Sequence, residues 1–197
     1  MIPFKNLKKQ MVIPKNIYFK LRPLILPVNE ILSFIPKRAN ILDLGCGKGL
    51  LLENLKYYKS YTGVDLNVPE LETNMPNINF IKGDCVNYID KELEDYDTFL
   101  LIDLLHHIKP NQQLIFVQEL LNRMKRNDIL IIKDIYPKNI LTKFWNAFHD
   151  LIISKQLIYY FDFNELFKTI SNNSIIIHKF HKRIFLYDHF FLVIKRN

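Results

Sequence analysis

A glycine-rich turn that follows a short apolar run is the feature that most constrains the fold of this chain. Residues 41–44 read ILDL, which predicts a buried strand, and residues 45–49 read GCGKG. Glycines allow a tight turn and let a ligand approach the backbone closely. Leucines at positions 50, 51, 52 and 55 predict a helix directly after the turn. A strand, a glycine turn and a helix in this order indicate an α/β fold whose ligand binds at the turn.

Short apolar runs that predict strands alternate with helical patterns along the rest of the chain. Further strands are predicted at residues 61–64, 78–81, 98–102 and 129–132, and helices near residues 28–35, 114–124, 140–151 and from Asp162 onwards. Residues 174–180 and 189–194 are β-rich with no helix between them, so we expect them to pair antiparallel at one sheet edge. The pattern predicts an α/β fold with a doubly wound, seven-stranded sheet, mostly parallel with an antiparallel last strand, and helices on both faces.

Acidic residues lie at the ends of the predicted strands, where such a sheet binds its ligand. Asp65 ends the second strand, and Asp84 and Asp103 follow the third and fourth. Ligands of open α/β sheets bind beyond the carboxyl ends of the strands. Asp65 comes 20 residues after Gly45, where an acid can accept hydrogen bonds from two ribose hydroxyls. We therefore expect a ligand that contains a nucleoside.

Two other nucleotide-binding motifs do not fit the turn. A nicotinamide-dinucleotide fingerprint that starts at Gly45 needs Gly or Ala at position 50, where this chain has Leu50. A phosphate-binding loop needs Gly-Lys followed by Ser or Thr, and Lys48 is followed by Gly49.

The turn and the strand ends resemble the motifs of the class I S-adenosylmethionine-dependent methyltransferases. Residues 41–49 resemble the first motif, residues 63–65 the acidic second motif, residues 83–85 the third and residues 103–107 the fourth. The resemblance spans roughly residues 36–135. It implies a Rossmann-like fold, S-adenosylmethionine as the cofactor and methyl transfer as the activity.

The resemblance also implies which residues hold the methionine part of the cofactor. Gly45 and Gly47 would pass close to it, and Cys46 belongs to the same turn. Asp43 would help to hold the amino group of the methionine part. Asp103 would lie beside the methionine end and face the methyl acceptor.

A second group of residues is implied for the nucleoside part. Asp65 would hold the ribose hydroxyls, and Leu66 would border the adenine. Asp84 would receive the exocyclic amine of the adenine, with the backbone of Cys85 nearby.

Histidines after the fourth predicted strand are the candidate catalytic bases. A base is needed when the acceptor carries a proton that must leave, and histidine is the natural base near neutral pH. His106 and His107 are the candidates, and Lys133 and Asp134 follow the fifth strand. Asp134 is followed by Ile135 rather than Asn, so no metal ion is implied.

The acceptor expected from this pattern is a small or lipid-like molecule, methylated at oxygen. The fourth motif lacks the Pro-Pro-aromatic sequence of enzymes that methylate exocyclic amines of nucleic-acid bases. Cys46 and Cys85 lie in the cofactor half, which disfavours carbon-5 methylation of pyrimidines. Aromatic residues could roof an acceptor pocket or pack in the core: Phe144, Trp145, Phe148, Tyr159, Tyr160 and Phe161.

The N-terminal segment carries the excess of positive charge. Residues 1–40 hold eight basic residues and one acid, and the rest of the chain holds 19 of each sign. We expect a basic helical segment, residues 1–36, packed on a cofactor-binding domain, residues 37–197. Such a segment could contact RNA phosphates, giving an RNA methyltransferase as one alternative, or an anionic membrane surface, or act only as a solubilising leader. A catalytically silent cofactor-binding partner subunit is the other alternative.

The sequence predicts a soluble, cytoplasmic protein. It contains no unbroken apolar run of about 18 residues, the length that a membrane-spanning helix needs. The first 20 residues lack the continuous apolar region of a secretory signal. Two cysteines are too few for a disulfide framework.

Overall fold

Seven strands form one sheet in the computed structural model of the chain. The structure describes residues 27–68, 76–90, 93–136, 158–171, 174–184 and 187–197. Its strands are β1 (Asn40–Leu44), β2 (Ser60–Asp65), β3 (Ile78–Lys82), β4 (Thr98–Ile102), β5 (Ile129–Ile135), β6 (Ser174–Ile184) and β7 (Tyr187–Arg196). Their order across the sheet is β3-β2-β1-β4-β5-β7-β6, and β7 runs antiparallel to both of its neighbours. This arrangement confirms the predicted doubly wound sheet.

Helices cover both faces of the sheet. The described helices are α1 (Val28–Phe34), α2 (Cys85–Tyr88), α3 (Pro110–Arg123) and α4 (Phe163–Ser171). Helix α1 buries Val28 and Ile31 in one apolar layer, and α2, α3 and α4 contribute to the layer on the opposite face. Successive strand residues point to opposite faces, so each strand supplies side chains to both layers. None of the described helices combines the length and the apolar character that crossing a membrane requires.

The prediction of a helix directly after the glycine turn is wrong. The structure has a single 3-10 turn there, Leu52–Asn54, and the backbone is extended again at Leu55. Three glycines with positive φ extend the turn as far as Gly49. Few residues then remain before β2 begins at Ser60, and the leucines of this segment contact the core from an irregular turn.

The strand order places a switch point at β1. Strand β1 pairs in parallel with β2 on one side and with β4 on the other, so the chain crosses the sheet in both directions from β1. Ligands of such sheets bind at this point, beyond the carboxyl ends of the strands. The helix predicted near residues 140–151, with Phe144, Trp145, Phe148 and His149, lies outside the described residues, as does most of the basic N-terminal segment.

Candidate active site

The glycine turn after β1 combines one crowded glycine with one open glycine. Gly45 and Gly47 have φ values of +81° and +54°, in the region that side chains disfavour. A Cβ on Gly45 would lie 2.9 Å from Cδ1 of Leu104, whereas a Cβ on Gly47 would meet no atom of the described residues within 4 Å. Packing thus requires glycine at position 45, and the backbone at position 47 is open to a ligand.

Asp43 presents a buried oxygen that has no hydrogen-bond partner in the part of the chain that the structure describes. Its carboxylate is 2% exposed, and Oδ2 accepts a 2.7 Å hydrogen bond from the Tyr61 hydroxyl on β2. No described residue donates a hydrogen bond to Oδ1. Burial raises the pKa of Asp43 to about 7, against the lowering effect of the Tyr61 hydrogen bond, and Asp65 adds to the rise. A carboxylate held in this way fits a ligand that brings a positively charged donor.

Tyr61 is a site residue that the sequence analysis missed. It is fully buried and orients the Asp43 carboxylate from the neighbouring strand. The available signal was a tyrosine in a buried strand, because a buried phenol hydroxyl usually finds a hydrogen-bond partner.

The residues expected at the nucleoside part gather at the ends of β2 and β3. Asp65 Oδ2 accepts a 2.9 Å hydrogen bond from the Gly47 N–H, and Oδ1 accepts one of 2.8 Å from the Asn67 N–H. Leu66, beside it, is 57% exposed, and Asp84 Oδ1 caps α2 by accepting from the Val86 N–H at 2.9 Å. The Asp65 carboxylate therefore fixes the glycine turn, and a large apolar side chain faces solvent next to it.

The two cysteines are structural in this geometry. The Cys85 thiol is buried and donates to the Val64 carbonyl at 3.3 Å. Burial raises the pKa of Cys85 to about 12 and raises the pKa of Cys46 well above its usual value. Both thiols stay protonated near neutral pH, which is unsuited to a nucleophile.

Asp103 is attached to the end of β5 at two points. Its N–H donates to the Lys133 carbonyl at 2.8 Å, and its Oδ1 lies 2.5 Å from the Lys133 ammonium nitrogen. Asp103 has φ +54°, an uncommon backbone conformation for a residue other than glycine. Lys133 is 1% exposed, so the ion pair fixes the acid that follows β4 from within the core.

His106 is bonded to a buried acid at the end of β5. Nδ1 of the His106 ring contacts Oδ1 of Asp134, and the backbone N–H of His106 donates to Oδ2 of Asp134 at 3.2 Å. Asp134 is fully buried and also accepts from the Ile135 N–H at 2.7 Å. We assign the shared proton to His106 Nδ1 because two further donors point at this carboxylate.

The two histidines differ in accessibility. Their ring centroids lie 4.0 Å apart, but His106 is 4% exposed whereas His107 is only partly buried. Buried Gln113 donates to the carbonyls of Leu105 and Tyr159, both at 2.9 Å, and so connects Tyr159 to the turn that carries His106.

Asp103, His106 and Asp134 could bring one ligand atom each to a metal ion, since those atoms lie within 4.8 Å of one another. Asp103 already holds the Lys133 ammonium, and His106 is bonded to Asp134. A divalent ion would have to displace both interactions, so we interpret the cluster as a hydrogen-bonded network.

The fold and the site define a class of α/β proteins that bind a nucleoside-containing ligand between a glycine turn and an acid on the next strand. Residues 18–175 match the family model described as a methyltransferase domain. The chain therefore belongs to the methyltransferase domain family.

Relatives and solved structures agree with this family. The chain is 22% identical over 125 residues to a carboxy-S-adenosyl-L-methionine synthase of Helicobacter pylori, in a match that covers 60% of this chain and 47% of the relative. It thus spans about half the length of the curated relatives it matches.

Two solved structures share the fold. The magnesium protoporphyrin IX methyltransferase of Synechocystis PCC 6803, solved with bound S-adenosylhomocysteine, superposes with a TM-score of 0.66 at 16% identity, covering 100% of this chain and 89% of that one. The 1,6-didemethyltoxoflavin-N1-methyltransferase of Burkholderia thailandensis superposes with a TM-score of 0.70 at 16% identity, covering 94% of this chain and 84% of that one.

Proposed function

We propose that this chain is an S-adenosylmethionine-dependent methyltransferase that methylates a small or lipid-like acceptor at oxygen. The observation that carries the proposal is the buried Oδ1 of Asp43, which no described residue satisfies. A buried acceptor without a partner costs free energy, and the amino group of S-adenosylmethionine would supply the donor. The solved structures of similar fold with bound S-adenosylhomocysteine support the same cofactor.

The proposed cofactor contacts follow the edge of the sheet from β1 to β3. Asp43 accepts the amino group, and Gly45 and Gly47 let the backbone approach the methionine part. Asp65 keeps its bond to the Gly47 N–H and uses its remaining lone pairs for the ribose hydroxyls. Additional proposed contacts are Cys46, Leu66, Asp84, Cys85 and Asp103.

When bound, S-adenosylmethionine supplies an electrophilic methyl group. The residues of this chain contribute positioning, which is the larger part of catalysis in a displacement between two held groups. His107 is the less buried of the two rings after β4, and we assign to it the removal of the acceptor's proton. His106, bonded to Asp134, is the positioning residue that holds the turn carrying His107.

Transfer to oxygen is supported by the presence of these histidines. A hydroxyl must lose its proton as it is methylated, so a base beside the acceptor is useful in that chemistry. The neighbours of similar fold include enzymes whose names specify nitrogen or oxygen acceptors, so the fold alone leaves the atom open. The two named ring-system substrates of these neighbours favour a small molecule over RNA.

The experiment that tests the cofactor is calorimetric titration of the purified chain with S-adenosylmethionine and S-adenosylhomocysteine. We expect micromolar binding that Asp65→Ala weakens by about 1.5–3 kcal/mol, the usual loss for a charged hydrogen bond. Asp90→Ala is the matched control, because Asp90 is an exposed acid paired with Arg123. Absence of binding by the intact chain would overturn the proposal.

The acceptor class is tested in the same preparation with methyl-labelled S-adenosylmethionine and separated fractions of a cell extract. We expect label in the small-molecule fraction. Label in the RNA fraction would instead support the alternative based on the basic N-terminal segment.

A further inference from the structure

Lys133 is a buried cation next to the proposed reaction centre. Its side chain is 1% exposed, whereas the side chain of its partner Asp103 is 18% exposed. The ammonium therefore lies behind the acid, on the core side. Asp134, the next residue, is bonded to His106, and its carboxylate lies within 4.8 Å of a carboxylate oxygen of Asp103.

Strand β7 of the C-terminal hairpin places two buried titratable residues, His189 and Asp188, beside the end of β5. His189 on β7 is 2% exposed, and its pKa is lowered to about 3, first by burial and then by Lys133, with Asp103 opposing. It is neutral at physiological pH. Lys182 on β6 lies further along this face and is paired with Glu30 of α1. Asp103 is the acid whose carboxylate contacts the Lys133 ammonium, at 2.5 Å.

We propose that Lys133 sets the preference of the site between the cationic cofactor and its neutral product, by compensating the charge of Asp103. The inference rests on the proposed function. S-adenosylmethionine carries a sulfonium and S-adenosylhomocysteine does not, so the charge of the Asp103–Lys133 pair acts on one ligand and not the other.

This compensation has a catalytic reason. The sulfonium loses its positive charge as the methyl group leaves. An uncompensated Asp103 would stabilise the reactant more than the transition state, and would raise the barrier to transfer. Lys133 removes that excess attraction while its two contacts keep the Asp103 side chain and backbone in place.

The test compares the affinities of the two ligands by calorimetry, without any acceptor. Lys133→Met should shift the ratio of affinities towards S-adenosylmethionine by roughly three- to tenfold, the effect of one charge a few ångströms away in a screened site. Asp103→Asn leaves the ammonium uncompensated and should shift the ratio the other way. The double variant should return close to the wild-type ratio.

Two controls separate this role from a structural one. Lys133→Arg keeps the charge and should keep the ratio, and Lys182→Met removes a lysine of the same face that is paired with Glu30 and should leave it unchanged. Variants that weaken both ligands equally would overturn the inference. If Lys133→Met does not fold, Asp103→Asn alone decides, since a ratio unchanged in that variant contradicts compensation. Failure of the wild type to bind either ligand would instead contradict the proposed function.

Discussion

At the scale of single residues, the site depends on Asp43 being held in place while its charge is disfavoured. The carboxylate is buried, one oxygen is bonded to Tyr61, and its pKa is raised to about 7. A ligand whose positively charged amino group donates to the other oxygen binds the ionised form more strongly than the neutral one. Cofactor binding is therefore coupled to the loss of a proton near neutral pH.

The coupling predicts that affinity for S-adenosylmethionine increases with pH. Between pH 6 and 7.5 the ionised fraction of Asp43 rises from about a tenth to about three quarters, so the dissociation constant should fall roughly five- to tenfold. This range lies below the titration of a typical α-amino group at about 7.7–8.0. Calorimetry across the range measures the effect.

Two variants check the assignment to Asp43. Asp43→Asn should bind weakly with no dependence on pH in this range. Tyr61→Phe removes a hydrogen bond that favours the ionised form of Asp43. The rise in affinity for S-adenosylmethionine should therefore occur at higher pH in this variant. A wild type whose affinity stays constant from pH 6 to 7.5 would contradict the prediction.

At the scale of elements, the connection between β1 and β2 is shaped by its glycines rather than by a helix. Gly45 packs against Leu104, which follows β4, whereas a Cβ on Gly47 would meet no atom of the described residues within 4 Å, and the Gly47 N–H donates to Asp65. The same turn therefore contains a glycine that packing needs and a glycine that ligand binding needs.

Two matched substitutions separate these roles. Gly45→Ala combines a positive φ with a clash and should lower the free energy of unfolding by about 2–4 kcal/mol. Gly47→Ala carries only the backbone cost of about 1–2 kcal/mol, but its methyl group should obstruct the cofactor. Urea unfolding and calorimetry measure both quantities. Equal loss of stability in the two variants would show that the turn is uniformly packed.

At the scale of the whole molecule, two buried groups make opposite contributions to stability as pH changes. The folded-state pKa of Asp43 is raised to about 7, so its contribution to stability is present at low pH and lost as pH rises from about 4 to 7. The folded-state pKa of His189 is lowered to about 3, so its contribution is present above about 6.5 and lost as pH falls. Over the shared range the two effects oppose each other.

We predict that removing either group reveals the contribution of the other. The free energy of unfolding of Asp43→Asn, relative to that of the wild type, should increase as pH rises, by at most about 1.4 kcal/mol per pH unit. The free energy of unfolding of His189→Gln, relative to that of the wild type, should increase as pH falls from about 6.5 to 4. Urea unfolding of the ligand-free proteins at several pH values measures both slopes, and a slope of the reverse sign for either variant would contradict the assignment.

The sequence by itself determined the class of fold and the edge of the sheet where the ligand binds. Apolar runs separated by helical patterns, the glycines after β1, and acids at the ends of strands are all local features. Such features report local structure directly, because the backbone conformation of a turn and the alternation of a strand depend on near neighbours. The prediction of a helix after Gly49 is wrong because three glycines with positive φ extend the turn.

Only the tertiary structure decided which side chains meet. Tyr61 with Asp43, Lys133 with Asp103, and Asp134 with His106 are pairs separated by 18, 30 and 28 residues. Each pair depends on the register between strands and on which face each residue occupies. A shift of one residue would turn a side chain to the other face. Strands β4 and β5 are buried on both faces, so their continuous apolar runs do not show which face a residue occupies.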